Sequence, residues 1–222
     1  MLARAIIRNS IGLSLFAVFT AGLIALSYTA TRDRAAANAD AYAARTLYEL
    51  VPESLFDQPI EQTDFSLLGS ESAQGIDRLG LRQDRNGFRA IRDGNVTAVV
   101  LPLTSRDGYT GDIDLLMAVD REGSLLGVRV VAHQETPGLG DAIEADRSDW
   151  ILQFDGMSLR IPAPEQWAVR KDGGDFDQLT GATITPRAVV AAVKAGLTVF
   201  ADNRDWLLTV PGPDSEEEAD HG

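Results

Sequence analysis

The chain has 222 residues, with 33 acidic against 20 basic side chains and a net charge of -13, a balance that argues against a nucleic-acid partner, which needs a basic face. It has no cysteine and two histidines, His133 and His221. These counts exclude disulfides, thiolate zinc sites, Cys-ligated iron–sulfur clusters and a lipid-modified cysteine, so redox chemistry in this chain would rest on an organic cofactor.

Residues 9–31 carry no charge, and residues 11–28 are mostly apolar, with Leu13, Leu15, Phe16, Val18, Phe19, Leu23, Ile24 and Leu26. About 20 such residues can cross the hydrocarbon core of a bilayer. Arg4 and Arg8 precede the run, while Arg32 and Arg34 follow it, so the charge bias is weak; we place residues 1–8 in the cytoplasm and the rest outside. A cleaved signal peptide is the alternative, with Ala25-Leu26-Ser27 as its cleavage site.

Residues 34–50 are alanine-rich, with Tyr42, Leu47 and Leu50 spaced for one helix face, and Pro52 ends the pattern. Residues 55–86 show little periodicity and suggest no function. Strand signals begin near Phe88 and strengthen over residues 96–103. Ile113, Leu115, Met117 and Val119 alternate, Asp120-Arg121-Glu122-Gly123 is a turn, and residues 125–132 return, which makes a hairpin and hence antiparallel sheet.

The returning strand delivers His133-Gln134-Glu135-Thr136-Pro137-Gly138-Leu139-Gly140. Pro137 stiffens this loop, Gly138 and Gly140 permit close backbone approach, and a flat ring could lie against it with Leu139 as an apolar contact; an ordinary Pro-Gly turn has the same spacing. Residues 141–154 read as a helix with Ile143, Trp150, Ile151 and Phe154 inward, and Trp150 and Trp167 read as core. Lys171 either meets a phosphate as a point charge or is a solvated loop lysine.

Asp177-Gln178-Leu179-Thr180-Gly181-Ala182-Thr183-Ile184-Thr185-Pro186-Arg187 is a small-residue turn running into an amphipathic helix with Val189, Val190, Val193, Leu197 and Phe200 on one face. We expect Thr185 as N-cap and Pro186 at the first helical position. Thr183 then precedes a helix N-terminus, where free N–H groups and the helix dipole favour a phosphate; geometry alone goes no further than this, and a capped loop without a ligand is the commoner reading. The helix should end near Asp202, and residues 211–222, which include His221, read as an acidic disordered tail.

Residues 177–183 resemble the flavinylation motif Asp-x-x-(Ser/Thr)-Gly-Ala-Thr, and residues 133–140 resemble the His-x-Glu-Thr-Pro-Gly-Leu-Gly signature of the FMN-binding domain family. The flanking residues 173–186 resemble the G subunit of the Rnf electron transport complexes, with the C subunit of the sodium-pumping NADH:quinone reductase as a near relative. The resemblance implies an α+β fold, an antiparallel sheet with flanking helices, behind one uncleaved N-terminal transmembrane helix. It implies FMN joined to Thr183 by a phosphoester, with the isoalloxazine bordered by the loop at 133–140. It makes Glu135, Thr136, Pro137, Gly138, Leu139, Gly140, His133, Lys171, Asp177, Thr180, Gly181, Ala182 and Thr185 candidate cofactor-binding residues. A separate flavin transferase would attach the FMN from FAD, and the partners would be the other membrane subunits of the complex.

The expected layout is residues 1–8 cytoplasmic, 9–31 transmembrane, 32–95 juxtamembrane helix and the start of a periplasmic region, 96–205 FMN-binding domain, and 206–222 a C-terminal segment. The expected location is the bacterial inner membrane. The chain offers no Gly-rich nucleotide loop after a strand and no charge within its span, so it is not expected to bind NADH or move ions itself. Other readings of the sequence are the quinone-reductase subunit, a stand-alone periplasmic FMN carrier, and a tethered binding protein without a cofactor.

Overall fold

A computed structural model describes residues 2–67, 73–82 and 85–210; within the first helix, side chains are described for residues 10–31 and from 45 onward. The tail at 211–222, with His221, and the side chains of Arg4, Arg8, Arg32, Arg34 and Tyr42 lie outside the described residues. Contacts divide the chain into two units, residues 1–43 and the remainder from Ala44.

Helix α1 spans Leu2–Leu50. Its segment Ser10–Thr31, 22 residues, is long and apolar enough to cross a membrane. Leu13, Phe16, Val18, Phe19 and Leu26 are all exposed, as the lipid-facing side of a lone span would be.

Beyond α1, the described residues between 52 and 86 hold short 3-10 turns, Glu53–Leu55, Ile60–Gln62 and Ile76–Leu79, consistent with the lack of periodicity there. Among the described residues, five strands follow one another in space as they do in sequence: β1 (Asp64–Phe65), β2 (Gly87–Arg92), β3 (Asn95–Ser105), β4 (Ile113–Asp120) and β5 (Leu125–Ala132), all antiparallel. The β4–β5 turn is built as its sequence suggests. Asp120 Oδ1 accepts the N–H groups of Glu122 at 2.9 Å and Ser124 at 2.8 Å, and Gly123 takes φ 91°.

Helix α2 (Ile184–Asp202) covers one face of the sheet, with Val189, Val190, Val193, Leu197 and Phe200 buried against Leu101, Leu103, Leu115 and Met117. By length and composition α2 could also cross a membrane, but this burial makes it a core helix. The opposite face packs Ala90, Ala98, Val100, Leu116 and Ala118 against Leu47, Leu50, Val51 and Ile60. Burial on both faces explains why β3 reads as a continuous apolar run rather than an alternation. A four-residue helix α3 (Arg204–Leu207) packs against β2, where buried Arg89 donates from Nε to the Leu207 carbonyl at 3.0 Å and lies over the Phe65 ring.

Residues 141–154 depart from expectation. They form two 3-10 turns, Gly140–Ile143 and Asp149–Phe154, instead of one helix. Ser148 separates them: its Oγ donates to the Ala142 carbonyl at 2.6 Å and accepts the Trp150 N–H at 3.1 Å, a local bond that competes with the helical ladder. Ile143, Trp150, Ile151 and Phe154 are nevertheless buried. Trp150 and Trp167 are core residues; Phe154 stacks on Trp167 and on Phe176, and those two rings pack tilted against each other.

Candidate functional site

The loop leaving β5 and the turn entering α2 meet across a cleft of about 290 Å³. Glu135, Thr136, Leu139 and Gly140 line it from the first, and Gly181, Ala182, Thr183, Ile184 and Thr185 from the second, with Tyr109 completing the wall.

Glu135 joins the two. It is only 4% exposed, yet Oε2 accepts the Thr185 hydroxyl at 2.5 Å and Oε1 accepts the Thr110 N–H at 3.1 Å. A buried carboxylate needs such donors, and here they come from two other chain segments. The same bond corrects the assignment of Thr185 as N-cap. Helix α2 begins at Ile184, so Thr183 occupies the cap position without a side-chain capping bond, and Thr185, 1% exposed, lies inside the first turn facing Glu135. Pro186 is accordingly the third helical residue rather than the first, still within the turn whose N–H groups need no helical acceptor. By position, the N–H groups of Thr183, Ile184 and Thr185 have no acceptor within the helix, and they open beside the exposed Thr183.

The glycines act at different points from those the loop chemistry suggests. A Cβ on Gly138 would meet nothing within 4 Å, although its φ of 79° favours glycine. Close approach occurs instead at Gly140, where a Cβ would lie 2.8 Å from the Glu135 side chain, and at Gly181, where it would lie 2.8 Å from Leu139 Cδ2. Gly181 also has φ 81° and sits in the turn closed by Ala182 N–H donating to Leu179 O at 3.3 Å.

Of the remaining sequence candidates, none lines the cleft. His133 braces the loop: Nδ1 accepts the Glu135 N–H at 2.9 Å, which puts the proton of a neutral ring on Nε2, facing Glu144 Oε1 at 2.5 Å. Asp177 pairs with Arg170 at 2.7 Å, its N–H is taken by Gln153 Oε1 at 2.7 Å, and its carbonyl accepts the Trp150 indole N–H at 2.7 Å. It anchors the entry to the turn. Pro137 and Gly138 form the outer edge of their loop, Thr180 lies in the adjoining turn, and Lys171 is exposed on a 3-10 turn, Arg170–Asp172. The neighbouring Asp172 is held below the ordinary carboxylate range by its bidentate bond to Arg187, 2.5 and 2.6 Å, which ties that turn to α2.

Among the described residues, no base stands ready to activate Thr183: both nitrogens of His133 are engaged, and the Glu135 carboxylate is occupied by Thr185 and Thr110. The described residues contain no cluster suited to a metal ion. Tyr109 and Ile184 are the lining residues that the sequence motifs do not single out. The bracketing of Tyr109 by Gly108 and Gly111 is the available signal for the first; nothing local marks the second.

The chain matches the FMN-binding domain family over residues 108–198, and the N-terminal region characteristic of RnfG proteins over residues 1–50. The G subunit of an ion-translocating oxidoreductase complex from Pseudomonas aeruginosa is 44% identical over 218 residues, covering 98% of this chain and 97% of the relative. Proteins of the same name from Vibrio cholerae and Shewanella loihica are each 39% identical, over 209 and 208 residues, covering 94% of this chain and 97% and 95% of theirs.

Proposed function

Because this chain belongs to the family of G subunits of ion-translocating oxidoreductase complexes, we propose that it is a membrane-anchored FMN subunit that relays electrons within such a complex. The observation that carries the reading is the junction of the two family signatures in one cleft, tied by the Glu135–Thr185 bond.

The residues fit the group. Thr183 presents an exposed hydroxyl beside free helix N–H donors, suited to a phosphate, while Gly181 and Ala182 keep the backbone clear of side-chain bulk. Leu139 and Ile184 offer apolar surface for a flat ring. FMN held there would supply reversible electron transfer. The protein's part is to fix the phosphate end, exclude water from one side of the ring and orient it toward neighbouring subunits.

We further propose that the flavin is covalent, through a phosphoester to Thr183, and that a separate flavin transferase attaches it. The lack of an activating base beside Thr183 among the described residues supports an external catalyst. The proposed setting is the bacterial inner membrane, crossed once by Ser10–Thr31, with the cleft on the periplasmic side, where a dissociable flavin would be lost. The partners are then the other membrane subunits of the complex. The match over residues 1–50 supports this assembly over the quinone reductase.

The test is Thr183→Val, made in cells that supply a flavin transferase and export the domain. Wild-type protein should fluoresce as a flavin band in a denaturing gel, and the variant should be dark while remaining folded. A band that still fluoresces in the variant would overturn the assignment.

A further inference from the structure

Tyr109 belongs to neither signature, yet it lines the cleft with Leu139, Gly181, Thr183 and Ile184. It is 67% exposed, and Leu139 and Ile184 are each 44% exposed. Of the seven large hydrophobics exposed beyond Ala44 among the described residues, these three flank one cleft. Such clustering at a concavity marks a surface that gains by being covered.

The tyrosine is also held in place. A Cβ on Gly108 would lie 2.2 Å from the Gly111 carbonyl oxygen, so the loop pinches tightly around Tyr109 and Thr110. Thr110 donates its N–H to Glu135 Oε1 at 3.1 Å and its hydroxyl to the Gln134 carbonyl. The loop carrying Tyr109 is therefore fastened to the same carboxylate that holds Thr185. An exposed tyrosine on a fastened loop is preorganised for a flat partner.

We propose that Tyr109 is the aromatic wall of the flavin site, its ring lying against the isoalloxazine, on a loop that Glu135 fastens. This rests on the reading that FMN is carried by Thr183. Aromatic contact of this kind is worth roughly a threefold to tenfold shift in the docked-to-undocked equilibrium of a tethered ring. A phenol in contact also quenches flavin emission, which gives a readout independent of electron-transfer activity.

The experiment uses the full chain, flavinylated and purified in detergent, with emission per flavin measured before and after denaturation. Tyr109 is exposed, so its replacement leaves the core intact. In Tyr109→Ala, covalent FMN should remain, native emission should rise severalfold and the visible bands should move toward those of free FMN. Tyr109→Phe should keep the wild-type band positions while losing the quenching. Unchanged native emission and band positions in Tyr109→Ala, on protein that still carries covalent FMN, would overturn the stacking role and leave Thr183 untouched. Loss of covalent FMN from folded Tyr109→Ala would also overturn it, by tying the residue to attachment. A wild-type chain without flavin would fell both this inference and the reading beneath it.

Discussion

Thr183→Val and Thr185→Val should differ sharply in stability, although the residues stand two positions apart. The Thr183 side chain makes no capping bond and faces the cleft, so its loss should leave the melting temperature within a few degrees, since surface changes cost at most about 0.5 kcal/mol. Thr185→Val removes the hydroxyl that Glu135 accepts in the interior and leaves a buried carboxylate short of a donor, which costs about 1–3 kcal/mol. Thermal unfolding followed by circular dichroism compares them directly; equal stability of the two variants would remove the Glu135–Thr185 bond from the account of the fold. The sequence shows that a polar turn precedes an amphipathic helix here, but not which threonine faces inward. That choice is made by Glu135, 50 positions earlier, and a partner so distant leaves no local pattern.

Among the secondary-structure elements, α2 lies on β3 and β4 through a glycine. A Cβ on Gly196 would sit 2.7 Å from Leu103 Cδ2 and 3.0 Å from Met117 Cε. Gly196→Val should therefore destabilise the domain by about 1–3 kcal/mol through overpacking, despite better helix propensity. Urea unfolding would register this as a lower midpoint, and a raised midpoint would show that helix and sheet have slack. The strands are legible where apolar residues alternate or a turn is explicit, as in β4, Asp120–Gly123 and β5. The stretch after Gly140 is not, because apolar spacing at Ile143, Trp150, Ile151 and Phe154 serves two short 3-10 turns as well as it serves an α-helix. The small strand β1 and the turns around residues 53–79 carry no period at all, and their places come from tertiary packing.

At the scale of the molecule, an apolar span precedes a folded unit in a strongly acidic chain, and the proposed orientation puts that unit in the periplasm. We expect a reporter active only in the periplasm to work when fused after Gly222, past α3, so that Leu207 and its bond to Arg89 are kept. Activity of a cytoplasm-only reporter at the same point would reverse the orientation and move the proposed site of flavin attachment. The strand order has a consequence in time as well as in space. Each strand pairs with the one just before it, so the sheet can zip up strand by strand as the chain emerges, by short loop closures. The helix bearing Thr185 arrives after all five strands, and its bond to Glu135 can form only then. Thr183, two residues before Thr185, thus takes up its final setting at the end of folding, so that, if it carries the flavin as proposed, an enzyme reading this geometry would modify finished molecules and pass over nascent ones.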